Sequence, residues 1–290
     1  MKVRGQRARR TVFKGGRLLG ISVVFGHNEE MVFPDDEPID ATAVEFARGV
    51  LESASSVAVL SGAGISTDSG IPDFRGPNGV WTRNPAAEKR STIEHYVTDP
   101  EVRREAWQIR LHSDMFSATP NDGHRALVEL ERSGRLHTLV TQNIDGLHMI
   151  AGNSPDKVVE IHGTVHRWEC VDCGARGPMD EALDRVRAGE DDPRCLLCGG
   201  IVKSATVMFG QSLVAADLTR AELAATEAEV LVAVGTSLSV YPIAAMVPIA
   251  LESGLAVVIV NAEPTPFDDR ATAVVRGSAS MVLPAILALG

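Results

Sequence analysis

The sequence predicts an α/β fold with a doubly wound parallel sheet and a small inserted zinc-binding module. Two observations predict the sheet: short apolar runs of strand type alternate with helical periodicity, and a glycine-rich turn directly follows the first run. The third observation is a pair of Cys-x-x-Cys motifs that interrupts the alternation, which predicts the module. We therefore expect a main domain over residues 41–167 and 202–290, and a module over residues 168–201.

Length, composition and charge limit the number of domains and the kinds of partner that we expect. The chain has 290 residues, is 44% apolar and has a formal charge of −10, which fits one large domain with an appended module. Its first 20 residues carry seven Lys or Arg and no acid, so the remainder bears 21 basic against 38 acidic residues. An acidic body argues against direct nucleic-acid binding and favours basic partners such as Lys-rich peptide segments.

Residues 1–40 are expected to be a flexible N-terminal extension, and an upstream start codon is the alternative explanation for them. Its apolar run, Leu18 to Phe25, is too short for a membrane span, and no small-residue cleavage site follows it. We therefore expect no membrane attachment and a cytoplasmic protein.

Ala41 to Ser53 has helical periodicity and leads to the first strand, Val57 to Leu60. Gly62, Ala63 and Gly64 follow, where small residues would let main-chain N–H groups approach an anion at a helix N-terminus. Thr67 stands where the third glycine of a dehydrogenase turn belongs. A tight connecting turn without a ligand is the alternative interpretation.

The loop after this turn combines Asp73, Phe74 and Arg75, a grouping that packing alone rarely requires. The polar stretch beyond it, from residue 77 to about residue 95, has no clear period and is typical of a lid that orders over a ligand.

Glu101 to His112 predicts a helix that carries Trp107 and Arg110 on neighbouring turns. A second helix is predicted over His124 to Ser133, before the strand Leu136 to Val140.

Polar residues follow the predicted strands where ligands of open α/β sheets bind. Gln142, Asn143 and Asp145 come after the second strand, and His162 comes after Val158 to Ile161. The amides and carboxylate suit ribose hydroxyls, and His162 has the near-neutral pKa of a general base. Helix capping and a structural histidine are the alternatives.

Four cysteines are the only ones in the chain, and they form two Cys-x-x-Cys pairs: Cys170, Cys173, Cys195 and Cys198. Four thiolates fill a tetrahedral Zn²⁺ site without leaving a position for water, so the metal is expected to be structural. Disulfides are the alternative, and they would require export. The insert is small enough that we expect it to need metal to fold.

The last third of the chain supplies further strand ends. Val230 to Val234 leads to Gly235, Thr236 and Ser237, a turn suited to phosphate or ribose. Ala256 to Val260 leads to Asn261, Ala262 and Glu263, where an adenosine ribose could bind, and a terminal helix begins near Ser280.

Taken together, the VAVLSGAGISTDSGIPDFRG, TQNIDGLH and IHG stretches resemble the sirtuins, the NAD-dependent protein-lysine deacylases, over roughly residues 40 to 285. The resemblance implies a Rossmann-like domain and transfer of an acyl group from lysine to ADP-ribose with release of nicotinamide. It implies His162 as the base, and Asn143 and Asp145 as residues that hold the ribose and nicotinamide region, with His148 and His166 structural. The positions that it places against NAD are Gly62, Ala63, Gly64, Ser66, Asp73, Phe74, Arg75, Trp81, Gln142, Asn143, Ile144, Asp145, Gly235, Thr236, Ser237, Asn261, Ala262, Glu263 and Ala279.

The same resemblance implies that an acyl-lysine peptide pairs, main chain to main chain, with a segment of four residues, Val207, Met208, Phe209 and Gly210. Gln211 stands where the family usually has a glutamate. Trp107 and Arg110 are similar to a Tyr–Arg pair that binds acidic acyl groups, but Trp lacks the phenol, which leaves the acyl preference open. A core Trp beside a surface Arg is the alternative interpretation of this pair.

Two other functions fit the same pocket. The FRGPNGVW stretch, Phe74 to Trp81, resembles sirtuins with long-acyl or ADP-ribosyl activity, which makes a protein mono-ADP-ribosyltransferase the alternative. A non-catalytic NAD sensor is disfavoured by the combination of His162, Asn143 and Asp145. A hydride-transfer enzyme is disfavoured by the missing third glycine.

Overall fold

A computed structural model of the chain describes residues 39–73, 76, 79–84 and 91–287. The predicted extension therefore lies almost wholly outside the described residues. Phe74, Arg75 and the side chain of Trp81 lie outside them too, as does part of the predicted lid.

A six-stranded parallel sheet forms the centre of the main domain, in the order β3-β2-β1-β7-β8-β9. Its strands are β1 Val57–Ser61, β2 Leu136–Thr141, β3 Val158–Glu160, β7 Val230–Val234, β8 Ala256–Val260 and β9 Ala273–Val275. After β1, the chain adds β2 and β3 on one side of the sheet. After β7, it adds β8 and β9 on the other side. The carboxyl ends of β1 and β7 therefore border the crevice in which ligands of such sheets bind.

Both faces of this sheet are buried, which explains why its strands read as continuous apolar runs. Side chains alternate between two cores: Val57 and Val59 enter one, and Ala58 and Leu60 enter the other. The strands β7 and β8 are buried in the same alternating way. The predicted doubly wound sheet is thus confirmed.

The α-helices of the described residues are α1 Ala41–Glu52, α2 Val80–Arg83, α3 Ile93–Thr98, α4 Pro100–Leu111, α5 Asp122–Arg132, α6 Leu147–Ala151, α7 Met179–Arg187, α8 Ala215–Glu227, α9 Met246–Glu252 and α10 Ala279–Ile286. Side-chain caps fix several of the starts, as at Asp40, Asn121 and Ser278. The short α2 and α3 lie in the stretch for which the sequence shows no period.

The inserted module is an antiparallel sheet in the order β5-β4-β6, together with α7. Its strands are β4 Gly163–Cys170, β5 Arg176–Pro178 and β6 Val202–Thr206. The sheet extends beyond the predicted limits of the module at residues 168 and 201.

The main domain contributes directly to the module's apolar cluster. Trp107 of α4 is fully buried there among Cys170, Cys195 and the apolar side of α7. A buried ion pair between Arg103 of α4 and Asp192 of the module fixes the same junction, with Arg103 Nε 3.0 Å from Asp192 Oδ2. The interpretation of Trp107 as a core residue is therefore confirmed.

Within the described residues, no helix is both long and apolar enough to cross a bilayer.

Candidate active site

The turn after β1 packs against the turn after β7, and this contact explains its glycines. A Cβ atom added at Gly62 would lie 2.7 Å from the carbonyl oxygen of Gly235, and one at Gly64 would lie 2.8 Å from Gly235 Cα. Gly235 itself has a φ of 60°, which favours glycine.

The main-chain N–H groups of the two glycines donate within the protein, Gly62 to Val234 at 2.9 Å and Gly64 to Gly235 at 2.8 Å. The expectation that these two N–H groups face an anion is therefore wrong. The turn continues as two 3₁₀ turns, Ala63–Ile65 and Thr67–Ser69, so the expected helix N-terminus is also absent at this point of the described chain. Close packing of the two turns is sufficient to account for the glycines.

Ser66 links the two predicted ribose residues. Its hydroxyl donates to Asp145 Oδ2 at 2.7 Å and accepts from the side-chain amide of Asn143 at 3.0 Å. All three side chains are buried. Asp145 Oδ1 also accepts from the N–H of Leu147 at 2.9 Å, so the carboxylate is fixed by both of its oxygens. The sequence predicts that Ser66, Asn143 and Asp145 lie in one site. In the structure, Ser66 contacts both of the other two residues.

A second carboxyl group, that of Glu160, lines the same cavity as the Asp145 carboxylate of this network. Burial raises the pKa of Asp145, although the hydrogen bonds from Leu147 and Ser66 oppose the rise. Burial, together with the charge of Asp145, raises the pKa of Glu160 to about 7. Glu160 Oε1 is buried without a hydrogen-bond partner. Both residues line a narrow cavity beside His148.

His162 directly follows Ile161 after the end of β3, and its Nδ1 lies 3.0 Å from the main-chain carbonyl oxygen of Gln142. Because a carbonyl can only accept, Nδ1 carries the proton and Nε2 keeps its lone pair. Burial lowers the pKa of His162, and the bond to Gln142 partly offsets this effect. His162 is therefore a neutral imidazole with Nε2 as its basic atom.

Gln142 connects the two halves of the sheet. Its side-chain amide donates to Thr236 Oγ1 at 2.9 Å, and its main-chain N–H donates to the carbonyl of Ser61 at 2.9 Å. The main-chain carbonyl of Gln142 orients His162, and its side chain reaches Thr236 after β7. One residue therefore contacts both the base and the turn after β7.

Three further histidines behave as structural groups. His166 Nε2 donates to the carbonyl of Asp145 at 2.7 Å, and His148 Nε2 lies 2.9 Å from Ser61 Oγ. Burial holds the pKa of His148 well below its usual range. His124 packs against His148 with ring centroids 5.0 Å apart, and burial lowers its pKa to about 4.

The segment predicted to hold adenosine lies at the end of β8. Asn261 Nδ2 donates to the carbonyl of Glu263 at 2.7 Å, while Ala262 and Glu263 are exposed. Ala279 is buried at the start of α10, against α5. Ser237, after β7, is exposed.

The predicted peptide-binding segment already makes several main-chain bonds. Val207 N–H donates to the carbonyl of His162 at 2.8 Å, and Phe209 bonds through N–H to Ser91 and through its carbonyl to Ile93. The side chain of Gln211 accepts from the N–H of Met208 at 3.0 Å. An added strand therefore has to use the remaining groups of the segment, such as those of Gly210.

The donor set of the four cysteines fits zinc. Their Sγ atoms all lie within 4.8 Å of one another, with Cys170 and Cys198 3.5 Å apart and Cys173 and Cys195 3.7 Å apart. A tetrahedron with Zn–S bonds of about 2.3 Å requires S–S separations of roughly 3.8 Å. The four sulfurs are therefore arranged to hold one tetrahedral Zn²⁺.

Arg110 lies beside the module, and its Nη1 is buried without a hydrogen-bond partner. Its Nη2 donates to Ser204 Oγ at 2.9 Å, and its guanidinium lies over the rings of Trp107 and Tyr96. The interpretation in which the helix carries a core tryptophan agrees with these contacts.

Sequence reasoning missed several residues that shape the site. Ser61, Asn121 and Glu160 belong to it only through long-range contacts. Asn121, for example, donates to the carbonyl of Ile65 at 2.8 Å and to Ser69 Oγ at 3.0 Å. Asn121 also caps α5, which is the local role that its sequence position predicts.

Residues 62–242 match the model of the Sir2 family. The chain is 54% identical to the NAD-dependent protein deacetylase 2 of Streptomyces coelicolor over 231 residues. This alignment covers 80% of this chain and 96% of that protein. It is 40% identical to the NAD-dependent protein deacetylase of Thermodesulfovibrio yellowstonii, over 82% of this chain and 91% of that protein.

Solved structures agree with these relatives. A Sir2 structure with a deacetylated p53 peptide and 3′-O-acetyl ADP-ribose has a TM-score of 0.77 at 33% identity, covering 84% of this chain and 96% of that one. A Sir2 complex with p53 peptide and NAD⁺ has a TM-score of 0.74 at 33% identity, over 83% and 95%. Because the family match spans the glycine turn, the histidine and the four cysteines, this chain belongs to the Sir2 family.

Proposed function

We propose that the protein is an NAD-dependent protein-lysine deacylase, and specifically a deacetylase. The observation that carries the proposal is the state of His162, which follows the edge strand β3. It is a neutral imidazole whose Nδ1–H donates to the carbonyl of Gln142 at 3.0 Å. A neutral imidazole that keeps the lone pair on Nε2 suits proton removal from a ribose hydroxyl. The deacetylases named among its relatives support the same reaction.

NAD, when bound, supplies an ADP-ribosyl group whose bond to nicotinamide can break as the acyl oxygen of the substrate lysine attacks. The residues proposed to bind the ribose and nicotinamide region are Asn143 and Asp145, which Ser66 holds in a fixed relative position. The buried position of this network keeps its polar groups away from water, which strengthens their electrostatic effect.

In this proposal, His162 accepts at Nε2 the proton that a ribose hydroxyl of NAD loses during the reaction. Its burial keeps the imidazole neutral at pH 7, and the Gln142 carbonyl stabilises the cation that forms when Nε2 is protonated. Positioning by Gln142 also couples the base to Thr236 across the crevice.

The proposed protein substrate is a segment that carries an acyl-lysine and binds in extended form beside residues 207–210. The p53 peptide complexes among the structural neighbours support a peptide substrate. The acidic body favours basic segments and not nucleic acid. The four cysteines are arranged as metal ligands and form no disulfide, which favours the cytoplasm, because thiolates persist in a reducing compartment.

Zn²⁺ in this proposal is structural. Cys170, Cys173, Cys195 and Cys198 would hold it, and four sulfur ligands leave no position for substrate. The metal's contribution is to hold β4 and β6, which carry His166 and lead to Val207.

The test is a panel of acetyl-, succinyl- and long-acyl-lysine peptides incubated with NAD, with peptide products resolved by mass. The proposal expects loss of the acetyl group coupled to nicotinamide release. ADP-ribose left on the peptide or on the enzyme would instead establish the mono-ADP-ribosyltransferase. No nicotinamide release from a zinc-loaded sample would contradict both enzymes and leave an NAD sensor.

A further inference from the structure

The turn that follows β8 is closed by a residue from a different strand end, Arg276, which comes directly after β9. Its Nη1 donates to the main-chain carbonyl of Glu263 at 2.9 Å and to that of Asn261 at 3.2 Å. One guanidinium nitrogen therefore binds both ends of the three-residue turn Asn261–Ala262–Glu263.

An acidic residue holds Arg276 in this position. The other terminal nitrogen, Nη2, forms an ion pair with Asp268 Oδ2. The same carboxylate accepts from the N–H of Thr265 at 3.0 Å and from its hydroxyl at 2.7 Å. These bonds hold the pKa of Asp268 below its usual range against the opposing effect of burial, so the carboxylate stays charged at neutral pH.

The turn has two other hydrogen bonds among the described residues, one of which runs from the Asn261 N–H to the carbonyl of Val275 at 3.3 Å. Ala262 and Glu263 are exposed, and the Asn261 side chain bonds back to the carbonyl of Glu263 at 2.7 Å. The Glu263 carbonyl thus accepts from both Asn261 and Arg276. Because the guanidinium binds the main-chain carbonyls of Asn261 and Glu263, it fixes the backbone from which both side chains project.

We infer that Arg276 is a positioning residue that shapes the Asn261–Glu263 turn for the adenosine end of NAD, an inference that rests on the proposed function. A guanidinium suits this task because its rigid, planar fork reaches two carbonyls and a carboxylate at once, whereas an ammonium on a flexible stem does not. Arg276 follows β9 and His162 follows β3, which are the opposite edges of the sheet. Arg276 should therefore affect cofactor binding and not chemistry.

The experiment compares Arg276→Met and Arg276→Lys with the wild-type holoenzyme. It measures kcat, KM for NAD and the Kd of ADP-ribose by calorimetry. Arg276→Met should raise KM and Kd about tenfold, as expected for losing hydrogen bonds from a charged donor, with kcat changed less than about twofold. Arg276→Lys should recover part of the loss. The control is Arg270→Met, because Arg270 is an exposed arginine on the same loop.

Unchanged KM and Kd in a folded Arg276→Met variant would overturn the inference, as would a fall in kcat at constant KM. If Arg276→Met does not fold, Asp268→Asn serves in its place, since it frees the guanidinium from its anchor. A rise in Kd of about threefold then supports the inference, and no change overturns it. The calorimetric Kd does not depend on turnover, so wild-type protein that binds ADP-ribose without releasing nicotinamide would refute the proposed function and still test Arg276.

Discussion

His162 donates from Nδ1 to the carbonyl oxygen of Gln142 over 3.0 Å, and this contact fixes which imidazole nitrogen can act as a base. Gln142 in turn donates its side-chain amide to Thr236 after β7. The base is therefore oriented by the same segment that joins the two halves of the sheet.

Replacement of His162 by alanine tests this assignment. His162→Ala should reduce deacetylation by about 10²–10⁴-fold, the usual contribution of a general base, because Nε2 is the proton acceptor. ADP-ribose binding and zinc content should stay within error of the wild type. His112→Ala, at an exposed histidine, is the control. Full activity in the His162 variant would show that the base lies elsewhere.

The pH profile provides a second test. Burial lowers the pKa of His162 below its ordinary value of 6.5, so the imidazole is neutral and basic at pH 7. The acid limb of kcat/KM should therefore have its midpoint below pH 6.5, with a plateau above it. A midpoint above pH 7 would contradict the description of His162 as a buried, neutral imidazole.

Ser66→Ala should weaken the site without unfolding it. Loss of the hydroxyl leaves Asp145 Oδ2 and the Asn143 amide without their shared partner, and hydrogen bonds to charged groups contribute about 1.5–3 kcal/mol. We expect kcat/KM for NAD to fall roughly 10- to 100-fold. Thr67→Ala, which removes an exposed hydroxyl that bonds to the nearby carbonyl of Gly64, is the matched variant. Equal kinetics for the two variants would exclude a role for the Ser66 link.

Glu160→Gln should change the dependence of stability on pH. The folded-state pKa of Glu160, about 7, lies above its ordinary value of 4.5. The stability that this group contributes is therefore present below pH 4.5 and lost as pH rises through 7. Relative to wild type, Glu160→Gln should gain on the order of 1–2 kcal/mol between pH 5 and pH 8, after allowance for partial exposure.

Urea unfolding at the two pH values measures this gain. Glu222→Gln, at an exposed acid on α8, should show none of it. A Glu160→Gln variant whose unfolding free energy runs parallel to wild type would mean that Glu160 ionises normally.

Metal removal should affect both the module and α4. Trp107 is fully buried in the cluster that contains Cys170 and Cys195, so loss of Zn²⁺ should expose it and shift its fluorescence to the red. Chelation or Cys173→Ser should also lower the Tm. The Trp107→Phe variant should lack the red shift, which assigns that shift to Trp107. One zinc per chain is the expected content. Unchanged emission and Tm in zinc-free protein would show that the module folds without metal.

Local patterns predict much of this molecule. The strands Val230–Val234 and Ala256–Val260 follow from continuous apolar runs, because both sheet faces are buried. The cluster of four cysteines follows from knuckle spacing, since each pair of ligands lies in one tight turn. His162, Asn143 and Asp145 stand directly after strands, where the topology of a parallel sheet places them at the same edge.

The remaining features depend on contacts between distant residues. Ser66 and Asp145 are 79 positions apart, and no local pattern places a hydroxyl against that carboxylate. The turn at Gly62 reads as an anion loop, but the approach of Gly235 determines its shape. The helix Ile93–Thr98 lacks a sequence period and begins where Ile93 bonds to Phe209.

Product stoichiometry tests the central claim most directly. Wild-type enzyme, NAD and an acetyl-lysine peptide are combined, and nicotinamide, deacetylated peptide and acetyl-ADP-ribose are quantified by mass in the same reaction. If the protein is the proposed deacetylase, the three products should form in equal amounts. The His162→Ala variant should form them only at its residual rate. Nicotinamide release without acetyl-ADP-ribose, or deacetylation that does not consume NAD, would contradict it.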